Sequence, residues 1–216
     1  MSYITIDNYT KTIKGNVILD GVNLELDKGK IYGFVGINGS GKTMLFRAIA
    51  GLISPTAGEI TVNSNKVGNG RHPESIGLLI ENANLWMNLS ALDNLKILND
   101  MSKKQISIDE IKGLISKFGL DPISKKTFKA FSLGMKQKLR LAQAFMAEPE
   151  LIILDEPTNA LDEESVLNLR KTILEYQKSG TTFLLASHSK FEIEALCDEI
   201  IYMNSGKIVN QEKVVR

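Results

Sequence analysis

The chain has 216 residues, of which 43% are hydrophobic and 24% charged, with a net charge of +1. That length buries a substantial core in one domain, and the near-neutral balance supplies no electrostatic reason to expect nucleic acid. No apolar run approaches the roughly 20 residues that a bilayer span requires, and the N-terminus does not read as a signal peptide, so a membrane role is expected to come through a partner.

In chain order, residues 2–7 alternate as a strand, and 17–26 form a second, with Asp20-Gly21 as a turn signal. Residues 31–35 are an apolar run of the buried-strand type, and a helix is expected from Met44 to Ala50. Pro55 and Gly58 punctuate a loop before a short strand at 59–62, and the polar stretch 63–73 reads as an exposed loop. Residues 76–80 form another buried-type strand, running into Glu81. From 91 to 131 apolar residues recur at helical spacing, which predicts a helical insertion between two parts of an α/β core. Ser132 opens a further helix to Ala147, and Pro149 stops it.

Residues 151–154 are a fully apolar strand ending in Asp155-Glu156-Pro157. Val166, Leu169, Ile173 and Tyr176 mark one face of the next helix, and 181–186 form a strand ending at Ser187-His188-Ser189. A helix from Lys190 and a hairpin around Asn204-Ser205-Gly206 follow. The lone Cys197 excludes an internal disulfide framework and reads as a small apolar filler; neither it nor the two histidines falls in a zinc-type spacing. Strands alternating with helices predict a mostly parallel sheet covered on both faces, with reactive groups beyond the strand C-termini.

The strongest chemical signal is Gly36-Ile37-Asn38-Gly39-Ser40-Gly41-Lys42-Thr43, which fits G-x-x-x-x-G-K-[ST] between a strand and a helix. Glycines let the backbone N–H groups curl inward, and the following helix adds the positive end of its dipole, so the loop is built to hold a polyphosphate. Lys42 is expected at the β- and γ-phosphates and Thr43 on Mg²⁺. Asp155-Glu156 at the end of an apolar strand supplies the matching carboxylates, one for the metal and one to polarise a water.

Three further stretches complete a family pattern: Phe131-Ser132-Leu133-Gly134-Met135-Lys136-Gln137, then Asn159-Ala160-Leu161-Asp162, then Ser187-His188-Ser189. With them the chain resembles an ATP-binding-cassette (ABC) nucleotide-binding domain over essentially its whole length. The resemblance implies one such domain at 1–216: an α/β phosphate-loop NTPase core with an N-terminal antiparallel β subdomain and a helical subdomain at about 88–147. It implies ATP and Mg²⁺ as cofactors, held by Gly36, Asn38, Gly39, Ser40, Gly41, Lys42, Thr43 and Met44, with Thr43, Asp155 and Glu81 at the metal. Glu156 is implied as general base, with His188 at the γ-phosphate and Lys42 assisting. Ser132, Gly134 and Asp162 are implied to reach ATP held by a second nucleotide-binding domain in a head-to-tail dimer. Membrane subunits are implied to meet residues 81–86, including Trp86, at the cytoplasmic face of a bacterial membrane.

Departures from the family pattern are informative. Glu81 stands where Gln is usual, as in exporters that protect bacteria from lantibiotic-type peptides. Leu133 and Met135 alter the signature in a form common among drug and peptide-antibiotic exporters. Ile13 stands where an aromatic would stack on adenine, which removes π-stacking. The expected function is therefore the ATPase subunit of an exporter. The alternatives are a soluble ABC ATPase, as in iron–sulfur assembly, and a small-molecule kinase, which the signature and the missing lid sequence disfavour.

Overall fold

The computed structural model describes residues 2–80, 85–187 and 190–214. The first half contains β1 (Ile4–Ile13), β2 (Asn16–Leu26), β3 (Ile31–Val35), α1 (Lys42–Ile49), β4 (Ala57–Val62), β5 (Asn65–Val67) and β6 (Ile76–Leu79). Then come α2 (Ala91–Met101), α3 (Ile108–Lys117), a 3-10 turn at Phe128–Ala130, α4 (Leu133–Phe145), β7 (Leu151–Asp155) and α5 (Glu163–Lys178). The chain continues through β8 (Thr182–Ala186), α6 (Lys190–Leu196), β9 (Glu199–Asn204) and β10 (Lys207–Lys213).

Two sheets result. The larger has the order β10-β9-β3-β8-β7-β6 and is parallel except at the β9–β10 hairpin. The smaller is antiparallel, in the order β2-β1-β4-β5. The central strands explain why their sequences read as unbroken apolar runs. On β7, Leu151 and Ile153 enter the core shared with α1 and the small sheet, while Ile152 and Leu154 enter the core shared with α4 and α5. Both faces are covered, so no polar residue is needed at alternate positions. Phe34 of β3 meets Phe46 of α1 edge-to-face at 5.0 Å.

Close approaches tighten this packing. A Cβ on Gly77 of β6 would lie 1.8 Å from the Ala144 carbonyl oxygen, so only glycine lets α4 settle on that strand. Cys197 is buried and faces Gly33 of β3, where a Cβ would come within 2.9 Å of its sulfur, in line with the packing role expected for it.

Several boundaries differ from the sequence reading. The first strand runs to Ile13, and the turn lies at Lys14-Gly15, with φ of 49° and 82°. Asp20-Gly21 is not a turn; it sits inside continuous β2. Asn8 at φ 45° and Gly21 at φ 58° accompany a break in pairing register, which resets the alternation between Ile6 and Tyr9 and hides the strand's length. The stretch 63–73 includes β5, reached through a tight turn at Asn63-Ser64. The helix before Pro149 ends at Phe145, because Met146 is already extended, and Ala147 and Glu148 then adopt φ of 63° and 52°.

Candidate functional site

β3, β8 and β7 lie side by side and parallel, so the chain leaves all three at one edge of the sheet. The glycine-rich loop follows β3, Glu156 follows β7, and Ser187 follows β8. The glycine-rich loop and the segment after β7 frame a cleft of about 490 Å³, which Ser187 does not line. One wall is Asn38, Gly39, Ser40, Gly41, Lys42, Thr43 and Met44; the other is Asp155, Glu156 and Asn159, with Ile18 at the margin.

The loop is preset for an anion. α2, α3, α4 and α5 each begin with a side-chain cap, from Ser90, Ser107, Ser132 and Asp162 respectively. α1 has none: Gly41 is at its N-cap with φ 105°, and its first turn carries no acidic residue. Its leading N–H groups therefore remain available to an external acceptor. Ser40 Oγ is buried and has no hydrogen-bond partner among the described residues. A Cβ on Gly36 would strike the Met203 carbonyl oxygen at 2.4 Å, so that turn also needs glycine.

Lys42 is only 7% exposed. Its Nζ donates to the Gly36 carbonyl at 2.6 Å and the Ile37 carbonyl at 3.3 Å, which holds the cation over the loop. Thr43 Oγ1 donates to Asp155 Oδ2, joining the phosphate loop to the end of β7. One hydroxyl and one carboxylate are too few donors for an all-protein metal cage, and no group of three His, Cys, Asp or Glu with metal-binding geometry occurs among the described residues. Such a donor pair fits Mg²⁺, which keeps waters and substrate phosphates as its other ligands.

Glu156 has φ 50°, a left-handed backbone conformation uncommon for a non-glycine residue. Its N–H donates to the Ala186 carbonyl at 2.9 Å. Gln137 of α4, 8% exposed, donates to the carbonyls of Glu156 at 3.4 Å and Pro157 at 3.0 Å. The turn that aims Glu156 into the cleft is therefore braced from β8 and from α4.

Other expected residues lie apart from the cleft. Ser132 caps α4 by accepting from Met135 N–H at 3.2 Å, and it is exposed together with Leu133. A Cβ on Gly134 would come within 2.8 Å of the Ala160 carbonyl oxygen, so the start of α4 lies against the 159–162 turn. Asp162 caps α5, accepting from Ser165 N–H at 2.8 Å. Ser165 and, to a lesser degree, Lys138 hold its carboxyl below the usual carboxylate range. Ile13 is 39% exposed at the hairpin end and does not line the cleft, whereas Ile18 does. Glu81 and His188 lie outside the described residues.

Ile18, Asn159 and Gln137 are site or support residues to which the sequence pattern assigned no role. Ile18 is one more apolar residue of a strand, and only the packing of Leu19 and Ile18 on Gly41 brings it to the margin. Asn159 and Gln137 stood inside recognised motifs, but nothing in their spacing reported a carbonyl partner or a place in the cleft.

The cleft and sheet define a phosphate-loop nucleotide-binding protein. The sequence profile of the ABC transporter family matches residues 19–159. A Bacillus subtilis ABC transporter ATP-binding protein, YybJ, is 44% identical, with 98% of this chain and 97% of that one covered. The lantibiotic transport ATP-binding protein SrtF of Streptococcus pyogenes is 38% identical over 97% of this chain and 90% of its own. The bacitracin transport ATP-binding protein BcrA of Enterococcus faecalis is 34% identical over 98% and 69%. A solved ATP-binding subunit of an ABC transporter superposes with a TM-score of 0.89 at 25% identity, covering 99% of this chain and 90% of that one. A dimeric ATP-binding cassette bound to ADP and Pi shares the fold, with a TM-score of 0.89 at 23% identity and 99% of each chain covered. The chain belongs to the ABC transporter family, as an ATP-binding ATPase subunit.

Proposed function

We propose that this chain hydrolyses ATP at the cleft of Lys42, Thr43, Asp155 and Glu156 to drive export through separate membrane subunits. The observation that carries the reading is the meeting of Thr43 with Asp155 beside Glu156, on one side of a glycine loop with uncapped N–H groups. Backbone N–H groups of residues 39–43 would hold the β- and γ-phosphates, and Lys42 Nζ would leave its two loop carbonyls for phosphate oxygens. Asn38 and Met44 flank this path, and Ile18 offers apolar surface to the base, with Ile13 the other residue expected near it. Thr43 and Asp155, with Glu81 as an additional candidate, would hold Mg²⁺, which when bound neutralises charge on the phosphates. Glu156 would take a proton from the attacking water, with His188 as the expected partner at the γ-phosphate.

In the same reading, Ser132, Gly134 and Asp162 serve ATP held by a second copy, and 88–147 acts as a helical subdomain. Trp86 and Met87, 43% and 44% exposed, are offered as the surface for a membrane subunit. No helix among the described residues is long and apolar enough to cross a membrane, so the export path would belong to that partner, with this chain at the cytoplasmic face. The relatives that transport lantibiotics and bacitracin support a peptide antibiotic as cargo.

Tagging the chain in its own host and solubilising membranes in mild detergent tests the partnership. A stoichiometric multi-span membrane protein is the expected companion; recovery with iron–sulfur assembly proteins alone would overturn the reading. For the cargo, a strain lacking the chain is expected to become several-fold more sensitive to lantibiotic-type peptides or bacitracin. Unchanged sensitivity to both would remove the peptide-antibiotic assignment.

A further inference from the structure

The turn at 85–90 carries Trp86 and Met87 outward over a buried Leu85. A single amide holds it from within. Asn94, in the early part of α2, is fully buried. Its Oδ1 accepts from Trp86 N–H at 2.7 Å. Its Nδ2 donates to the carbonyls of Trp86 at 3.1 Å, Leu89 at 3.2 Å and Ser90 at 2.9 Å. Every one of these partners is backbone of the turn, so the side chain substitutes for the regular ladder that the turn lacks.

The opposite edge of the turn is tied to a different element. Lys129 N–H donates to the Met87 carbonyl at 2.8 Å, and Phe128 N–H donates to the Leu89 carbonyl at 2.9 Å. Ser90 and Thr127 form an isolated bridge. The Phe128 ring, 1% exposed, lies under the cations of Lys136 at 5.6 Å and Arg140 at 5.9 Å, both on α4. Burial holds the Arg140 guanidinium below its usual pKa. Hydrogen bonds from Trp86 through Asn94 and Leu89 to Phe128, and the two cation–ring contacts of Phe128, therefore link the turn to the helix that Ser132 caps.

The plain alternative is that Asn94 only staples a loop for stability. A staple would do as well over a polar surface, whereas this one fixes two exposed apolar side chains and is fastened to α4 on its far side. We infer that Asn94 is a positioning residue that holds the Trp86–Met87 turn in shape against the Phe128 segment packed on α4, so that nucleotide at Ser132 and Gly134 moves that surface. The inference rests on the proposed ATP-dependent dimer, in which Ser132 faces nucleotide. Coupling of this kind is read as a response at one end to a change at the other.

Trp86 is the chain's one tryptophan and does not line the cleft, so its emission reports this turn. In a Glu156→Gln background, which would retain ATP, three quantities are measured: ATP affinity by calorimetry, dimerisation by light scattering, and acrylamide quenching of Trp86. ATP is expected to change quenching about twofold in the parent. Adding Asn94→Ala should keep ATP affinity within about threefold and preserve the ATP-driven dimer, while reducing the quenching response at least fivefold. A full response in Asn94→Ala, or a parent that dimerises with no change at Trp86, would overturn the inference. A parent that binds ATP yet never dimerises would overturn the dimer reading itself, so the two failures are distinct. Should Asn94→Ala not fold, hydrogen exchange on the parent decides: peptides spanning 85–90 and 127–131 are expected to gain protection together on ATP addition. Protection at 127–131 alone would refute the coupling.

Discussion

Glu156→Gln is expected to lower ATP turnover by roughly a hundred- to ten-thousand-fold while ATP binding is retained. The substitution removes the proton acceptor but preserves side-chain volume. The left-handed turn at φ 50° is braced by the Ala186 carbonyl and by Gln137, and neither bond uses the Glu156 carboxylate. The phosphate loop is untouched, so affinity should change little. With nucleotide no longer consumed, the dimer should accumulate on ATP addition, which light scattering would register. The measurement is phosphate release beside equilibrium ATP binding on the same preparation. Turnover within about threefold of the parent would mean that another group takes the proton. A parallel loss of binding would mean that Glu156 shapes the cleft and does not act chemically.

Lys42→Ala should act one step earlier. The residue is 7% exposed, and its Nζ is held by two loop carbonyls, at 2.6 and 3.3 Å. A cation so confined has lost most of its rotamer freedom before a phosphate arrives, and little further entropy is spent when it shifts to phosphate oxygens. Charge-assisted bonds of this kind contribute about 1.5–3 kcal/mol each, so ATP affinity is expected to fall on the order of 100-fold. Calorimetric titration with ATP reads the loss, and circular dichroism checks that the fold persists. An affinity within about threefold of the parent would mean that the loop N–H groups bind the phosphates without the lysine. In combination, the two variants separate binding from chemistry: Lys42→Ala should abolish the ATP-driven dimer that Glu156→Gln accumulates.

The sequence by itself determined which residues are candidates for the chemistry and how the layers alternate. The G-x-x-x-x-G-K-[ST] spacing is local: a turn, its glycines and the helix that follows lie within a few residues, so their geometry is encoded where it is used. The apolar runs at 31–35, 151–154 and 181–186 announced strands buried on both faces, because a covered parallel strand has no solvent side to mark with polar residues. The same property hid the assignment of faces; Leu151 and Ile152 look alike in sequence and enter different cores.

Only the tertiary structure decided the contacts between distant segments. Strand order brings Asp155 to Thr43, and a register break at Asn8 and Gly21 carries β1 to Ile13, leaving Ile18 and not Ile13 at the cleft margin. Asn94 reads as an ordinary polar residue in a helical stretch, yet it is buried with four backbone partners. Hydrogen bonds of this kind depend on where the backbone passes in space. A residue's type records what it can donate or accept, and the fold alone settles which group it meets.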